Sequence, residues 1–253
     1  MRHLWIPDTQ VREGVCTDHI EALGNYILEK RFEKIICAGD WWDMPATSNF
    51  NTAYEQEKLR VIDDIDSGNR AMHKLWKPVV EYNKRQRSHK HAGYNPRTIF
   101  IHGNHEAHLA RLWDKDPRLV GLVDYNMLAI KQYFDEEVDF HDFIIEDGIA
   151  YSHYFYNPNN GRPFSGMIET RLKNIGSSFT QGHSQEFAYG ERQLPTGKRL
   201  HGLVAGAFYM HDEGYKGKQG NSHWRGVVVK NEVRDGEYDL MKVSIDYLLR
   251  KYL

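Results

Sequence analysis

Five short polar motifs lie in order along the chain, and each contains a side chain that binds metal ions in proteins. They are Asp8-Thr9-Gln10, Gly39-Asp40-Trp41-Trp42-Asp43, Gly103-Asn104-His105-Glu106, Ser152-His153 and Gly182-His183-Ser184-Gln185. Carboxylate and amide oxygens together with imidazole nitrogens are the donors that a hard or borderline divalent cation takes. The motifs therefore indicate a metal centre, provided that the fold brings them together.

Short apolar runs precede four of these motifs, at residues 4–6, 35–38, 99–101 and 149–151. Such runs, rich in β-branched and aromatic residues, predict buried strands. The run before the last motif, residues 178–181, is a weaker strand pattern. Ligand sites in open α/β sheets gather at the carboxyl ends of strands, so we expect the motifs to meet in one crevice. The alternative, that they only form helix caps and turns, leaves the two histidines unexplained.

The rest of the pattern predicts an α/β fold in a single domain, residues 1–253. Residues 17–31 have the apolar spacing of a helix, and Thr17 is a residue type that caps helix starts. Further helices are expected over residues 54–65, 69–82, 105–113, 124–134 and 165–175, and further strands over residues 142–146, 201–208, 225–229 and 238–245. Residues 46–96 are expected to form a mostly helical insertion that is interrupted at Gly68 and Pro78.

Composition agrees with one enzyme-sized domain. The chain has 253 residues and a net charge of −2, so no global positive field draws it to nucleic acid or membrane. Its two cysteines are too few for a disulfide framework, and Cys37 lies in an apolar run where burial is expected. The first residues already have a strand pattern, and no apolar stretch approaches the ~18 residues of a membrane span. We therefore expect a cytoplasmic protein.

The order and spacing of the five motifs resemble the calcineurin-like metallophosphoesterase superfamily, with its pattern D-x-[H/Q], G-D-x-x-D, G-N-H-[E/D], H and G-H-x-[H/Q]. The resemblance covers residues 8–185. The first motif and the segment His223-Trp224-Arg225-Gly226 look like phage-encoded phosphoesterases and nucleases, which implies the host cytoplasm. The fold implied is a four-layer α/β/β/α sandwich of two mixed β-sheets flanked by helices, the metallophosphoesterase fold.

The resemblance also implies a role for each motif residue at a centre of two divalent ions. Asp40 would bridge the ions, and Glu106 is expected to stabilise its helix rather than to bind metal. His105 would act as the general acid at the leaving-group oxygen, with its ring oriented by Asp43. The residues implied as metal ligands are Asp8, Gln10, Asp40, Asn104, His153, His183 and Gln185.

Two of these ligands depart from the commoner family pattern. Many members have histidine where this chain has Gln10 and Gln185, and in the family both histidines bind the first ion. A glutamine carbonyl is a neutral and weaker donor than imidazole, so we expect a looser, oxygen-biased first site. Such a site favours Mn²⁺, with Mg²⁺, Fe or Zn²⁺ as the alternatives.

The function implied is hydrolysis of a phosphodiester, in DNA, RNA or a nucleotide, by a water that two metal ions activate. Trp42, with Trp41, would either offer a flat face for a base or belong to the core. Arg162 and Arg171 could reach a phosphate from the loop and helix after His153, and His201 falls where the family often closes its site. The basic run at residues 84–91 is either a phosphate-contacting arm or an ordinary solvated helix end.

Two alternatives stay open. One is a phosphomonoesterase that acts on nucleotides or phosphoproteins, although Met44-Pro45 follows Asp43 where Ser/Thr protein phosphatases have Arg-Gly. The other is a catalytically weak protein-binding scaffold of the same fold, which has no need for both His105 and Asp43. Nothing in the sequence identifies the oligomeric state.

Overall fold

Two mixed β-sheets form the centre of the molecule in the computed structural model, which describes residues 1–48, 57–213 and 217–253. The first sheet has six strands in the spatial order β11-β10-β1-β2-β3-β4. Strands β1 to β4 run parallel, and β10 and β11 are antiparallel additions at the β1 side. These strands are β1 (His3–Ile6), β2 (Lys34–Cys37), β3 (Arg97–Ile101), β4 (Glu136–Val138), β10 (Gly226–Arg234) and β11 (Glu237–Ser244).

The second sheet has five strands in the order β5-β6-β7-β9-β8. Its central strands β6, β7 and β9 are parallel, and both edge strands are antiparallel to their neighbours. These strands are β5 (Ile144–Glu146), β6 (Ile149–Ser152), β7 (Ser178–Gln181), β8 (Phe187–Gln193) and β9 (Arg199–Ala205).

Six α-helices lie within the described ranges: α1 (Asp18–Lys30), α2 (Val61–Ser88), α3 (Asn104–Lys115), α4 (Ile168–Ile175), α5 (Gly217–Asn221) and α6 (Ile245–Tyr252). Helix α1 packs against both α2 and α6. None of the helices in these ranges has a stretch long and apolar enough to cross a membrane.

The buried side chains divide into three layers because successive strand residues point to opposite faces. Trp5 of β1 packs between the two sheets, against residues such as Tyr151 of β6. Its neighbours in β1 face the other way, where Leu4 packs with Leu23 of α1 and Leu75 of α2. Helix α4 covers the outer face of the second sheet. The predicted architecture of two mixed sheets with helices outside is therefore confirmed as an α/β sandwich.

The helical segment after the second motif differs from its prediction. Helix α2 runs without a break through Gly68 and Pro78, where an interruption was predicted. Gly68 is required by packing, since a Cβ there would lie 2.0 Å from the indole ring of Trp42. Pro78 removes a backbone hydrogen bond of the helix, but its ring packs against Gly24 of α1. A Cβ added at Gly24 would lie 3.2 Å from the proline ring. Tertiary contacts thus outweigh the local preference.

Several other elements also differ from their predictions. The helix predicted over residues 124–134 is instead two short 3₁₀ turns, Tyr125–Met127 and Ala129–Gln132. Strands β4 and β8 and helix α6 were not predicted, because β4 is short and charged and β8 lies at an exposed sheet edge. The start of the helix predicted over residues 54–65 falls outside the described residues.

Candidate metal centre

All five motifs lie at the carboxyl ends of strands β1, β2, β3, β6 and β7, and the third motif continues into the first turn of α3. Several non-glycine residues in these loops have positive φ, among them Gln10 (φ 45°), Asp40 (φ 45°), His183 (φ 63°) and Gln185 (φ 53°). Non-glycine residues adopt this left-handed region rarely, and they concentrate where a site holds the backbone in place. The loops therefore have the backbone character of a functional site.

Three of the predicted ligands converge closely. Asp40, His153 and His183 each offer a donor atom, and these atoms all lie within 4.8 Å of one another. The side-chain oxygen of Asn104 joins them, 2.8 Å from Nδ1 of His183 and 3.1 Å from Nε2 of His153. One carboxylate, one amide and two imidazoles, from loops of both sheets, thus meet at one point.

The hydrogen bonds of His153 indicate that the lone pair of its Nε2 is free to bind a cation. Its Nδ1 lies 2.8 Å from the carbonyl oxygen of Ala38, which can only accept, so Nδ1 carries the hydrogen. In the neutral ring Nε2 then presents a lone pair, 3.5 Å from Oδ2 of Asp40 and 3.1 Å from the oxygen of Asn104. In that form three acceptors face one another, an arrangement that fits a cation.

Asp8 lies close to Asp40. Its Oδ1 accepts a hydrogen bond from the backbone N–H of His183 at 3.1 Å, whereas its Oδ2 is buried with no hydrogen-bond partner. Burial, and then the charge of Asp40, raise the pKa of Asp8 well above its ordinary value. An orphaned carboxylate oxygen beside a second carboxylate is a place that a divalent cation would stabilise.

The two glutamines of the predicted first site differ from each other. Oε1 of Gln10 is buried and has no hydrogen-bond partner, as expected of a side chain that offers its oxygen to a cation. Oε1 of Gln185 accepts a hydrogen bond from the hydroxyl of Tyr209 at 2.9 Å. Gln10 therefore fits the ligand role better than Gln185, whose oxygen is already engaged.

Glu106 holds the loop that carries Asp40. Its carboxylate is fully buried and accepts hydrogen bonds from the backbone N–H groups of Asp40, Trp41 and Gly103, each at 2.8 Å. Glu106 thus stabilises the start of α3, as predicted, and also fixes the loop after β2. Gly103 permits the close approach, since a Cβ there would lie 2.1 Å from Oδ1 of Asp40.

His105 sits beside the cluster with its ring fixed by Asp43. Its Nδ1 donates to the backbone carbonyl of Asp43, and the carboxylate of Asp43 lies 3.5 Å away. Its Nε2 points to Oδ2 of Asp40 at 3.7 Å. Burial opposes charging of the ring, but Asp40 and Asp43 outweigh it and raise the pKa of His105 above its ordinary value. The ring is therefore placed to hold a proton on Nε2, facing the cluster.

Arg12 is a residue of this site that the sequence analysis missed. Its Nη1 donates to the carboxylate of Asp43 at 2.8 Å and lies 3.4 Å from that of Glu213. Glu213 in turn pairs with Nε2 of His211 at 2.8 Å. A parallel bridge between Val11 and Trp42 brings Arg12 beside Asp43. Only the closeness of Arg12 to the first motif could have suggested it, and no spacing indicates Glu213.

The prediction that Trp42 stacks on a substrate base is wrong. Trp41 and Trp42 are both fully buried. Their indole N–H groups donate to the carbonyl oxygens of Gly68 and Ile65 of α2. The pair therefore anchors α2 to the loop after β2, and neither ring presents a face to solvent.

His201 is also misassigned as a residue that closes the site. It is buried at the start of β9, its backbone N–H bonds to Ser178 at the start of β7, and its Nδ1 contacts the hydroxyl of Tyr189. The motif loops lie where β6 and β7 end, so His201 is at the opposite end of the second sheet.

The two arginines that were predicted to contact phosphate differ in their exposure. Arg171 is buried and pairs with Glu186 at 2.9 Å, so it is not available to a phosphate. Arg162 is exposed in a turn in which its carbonyl oxygen accepts from the N–H of Asn157.

The basic run at residues 84–91 ends α2 at the far end of the molecule from the site. Tyr82, just before the run, bonds to Arg31 after α1, and Tyr94, just after it, bonds to Phe32 before β2. The run is therefore a solvated helix end, and it does not form an arm over the metal centre.

A scan against models of protein families finds no match for the chain, and a search of curated proteins finds none either.

Proposed function

We propose that the protein is a metal-dependent phosphodiesterase with the metallophosphoesterase fold. The observation that carries this proposal is the convergence of Asp40, Asn104, His153 and His183 beside His105, a ring held to deliver a proton. Asp8 and Gln10 add buried oxygens without hydrogen-bond partners next to this cluster. A protein-binding scaffold has no use for such a proton donor.

The donor set fits two divalent cations with Asp40 shared between them. Asn104, His153 and His183 would hold one, and Asp8 and Gln10 the other. When bound, such ions neutralise the ester oxygens and make an attacking water more acidic. Among the candidates, Mn²⁺ suits the oxygen-rich first site best, with Mg²⁺, Fe or Zn²⁺ as alternatives.

His105 supplies the general acid of this proposal. Because its Nδ1–H is held by the carbonyl of Asp43, the proton that can leave is the one on Nε2. That atom faces Asp40, beside which the reacting phosphate would lie. The charges of Asp40 and Asp43 raise the pKa of His105 and so favour the protonated ring, from which the leaving oxygen would receive the proton as its bond to phosphorus breaks.

A phosphodiester is favoured over a phosphomonoester by the charges near His105. A monoester dianion needs extra cations around it, but Arg12 is committed to Asp43 and Glu213. Met44-Pro45 stands where an arginine would follow Asp43 in a protein phosphatase. A diester carries one charge less and fits this arrangement.

The test is hydrolysis of bis-p-nitrophenyl phosphate with Mn²⁺, compared with p-nitrophenyl phosphate. We expect the diester to be the better substrate and Asp40→Asn to lower its kcat/KM by at least about 100-fold, because the shared carboxylate is lost. Asp66→Asn, an exposed carboxylate on α2, is the matched control and keeps full activity. Absence of metal-dependent hydrolysis of either compound would favour the scaffold, and faster hydrolysis of the monoester would favour a phosphomonoesterase.

A further inference from the structure

A chain of aromatic rings begins at the metal centre and runs outward to solvent. We call Phe140, His141, Tyr154 and Tyr156 the aromatic surface. The ring of Tyr154 lies 4.8 Å from that of His183, and His141 lies 5.6 Å from Tyr154 and 5.5 Å from Tyr156. None of these four residues has a role in the proposed metal centre. Their rings are nonetheless continuous with its ligands.

The two outer residues of the aromatic surface, His141 and Tyr156, are exposed to solvent. Tyr156 is 39% exposed and His141 is also exposed, whereas Trp41 and Trp42 are fully buried. His141 has a φ of 78°, which a non-glycine residue adopts only when its surroundings hold it there. Nε2 of His141 bonds to the hydroxyl of Tyr154 at 2.9 Å, which fixes the two rings together. Two rings of the surface are thus joined by a hydrogen bond, and its outer residues are open to a ligand.

Helix α3 carries an exposed cation on the face that begins at Asn104 of the candidate metal centre. Asn104, His108 and Arg111 lie on one face of this helix, at positions i, i+4 and i+7. The ring of His108 stacks on that of His105 at 5.3 Å, so the face leads away from the metal centre. Arg111 is exposed and has no ion pair within residues 1–48, 57–213 and 217–253.

We propose that a single-stranded nucleic acid lies along the aromatic surface, with bases stacked on Tyr154 and Tyr156 and a neighbouring phosphate at Arg111. This inference rests on the proposed function, since the scissile diester would sit at the metal centre. Aromatic faces stack on unpaired bases, whereas the bases of a duplex already stack on one another. The net charge of −2 also gives no field for a long duplex.

The experiment measures binding by fluorescence anisotropy of a labelled oligothymidylate to metal-free protein, in which no strand is cleaved. We expect Tyr156→Leu to raise the Kd about tenfold through the loss of one stacking face, and Tyr156→Phe to restore binding to within about twofold of wild type. Arg111→Gln weakens binding and lowers the slope of log Kd against log salt by about 1. Phe143→Leu is the matched control, because Phe143 is 58% exposed but packs toward Phe155.

Hydrolysis of bis-p-nitrophenyl phosphate is measured on the same variants and separates this inference from the proposed function. We expect Tyr156→Leu and Arg111→Gln to hydrolyse the small diester at the wild-type rate. An oligonucleotide affinity that does not change in Tyr156→Leu overturns the inference, as does equal binding of a duplex or tighter binding of a phosphopeptide. If Tyr156 controls oligonucleotide binding while no diester is hydrolysed with any metal, the surface stands and the proposed function fails.

Discussion

Single hydrogen bonds decide the tautomers of the two histidines that flank Asp40. The carbonyl of Ala38 fixes the tautomer of His153, and the carbonyl of Asp43 fixes that of His105. A carbonyl oxygen accepts only, so in both rings Nδ1 carries a hydrogen and Nε2 faces Asp40. The rings nevertheless differ in chemistry, because His153 points at other acceptors while His105 stands beside two carboxylates. One is suited to hold a cation and the other to hold a proton.

We predict that Arg12 positions the His105–Asp43 pair. Burial raises the pKa of Asp43, against the charges of His105 and Arg12, so the arginine helps to keep this carboxylate ionised and in place. In Arg12→Gln the carboxylate and the loop that carries it lose this anchor, and we expect kcat to fall roughly 10- to 100-fold with little change in KM. Steady-state kinetics with bis-p-nitrophenyl phosphate measure both parameters.

Two comparisons sharpen the test of Arg12. Arg12→Lys keeps a cation between the carboxylates and should recover part of kcat. Arg70→Gln removes an arginine of an exposed ion pair with Glu13 and should behave as wild type. A rise in KM with kcat unchanged would mean that Arg12 binds the substrate phosphate directly, contrary to a positioning role.

At the scale of elements, the strand ends were predictable because a short apolar run followed by Gly-Asp or Gly-Asn-His combines a strand pattern with a turn. Asp40 and His153 follow their strands as expected. The burial of Trp42 was not predictable, since it depends on Gly68 of a helix far along the chain. The prediction for His201 failed for a similar reason, because the sequence around a residue near a strand does not show at which end of the sheet that residue lies.

A buried lysine between the sheets gives a prediction for strand β10. Lys230 is fully buried, donates to the hydroxyl of Thr180 and lies 4.1 Å from the ring centre of Tyr151. Burial lowers the pKa of Lys230 well below its ordinary value of 10.5, so the folded state favours the neutral amine. Between the folded pKa and 10.5 the unfolded chain binds more protons, and the free energy of unfolding therefore rises with pH.

Lys230→Met removes this contribution and keeps the volume. We expect the variant to be more stable than wild type at pH 7, because no lysine has to lose its proton on folding, and this advantage to shrink as the pH rises toward 10. Urea unfolding at several pH values measures the difference, in which the contributions of all other groups cancel. Lys242→Met, an exposed lysine of β11, is the control and should show a pH-independent difference. A constant difference for Lys230→Met would mean that Lys230 is protonated in the folded protein.

On the scale of the whole molecule, polar contacts join the two sheets at both ends. At the site end, His153 after β6 bonds to Ala38 after β2. At the other end, Lys34 of β2 pairs with Asp147 at 2.6 Å, and Arg97 of β3 with Glu146 at 2.8 Å. The second junction is complete within the protein, whereas the first brings together buried acceptors that a divalent cation would satisfy. Stability at the site end should therefore depend on metal.

We therefore predict that divalent metal stabilises the whole fold. At a Mn²⁺ concentration of about 100 times Kd, binding adds about 2.7 kcal/mol to the free energy of unfolding, and for a chain of this size the Tm should rise by roughly 5–10 °C over that in EDTA. Differential scanning fluorimetry measures the shift, which should vanish in Asp40→Asn and persist in the exposed-site control Asp66→Asn. A shift of equal size in Asp40→Asn would place the bound ion elsewhere on the protein, and the ligands assigned from both sheets would then be wrong.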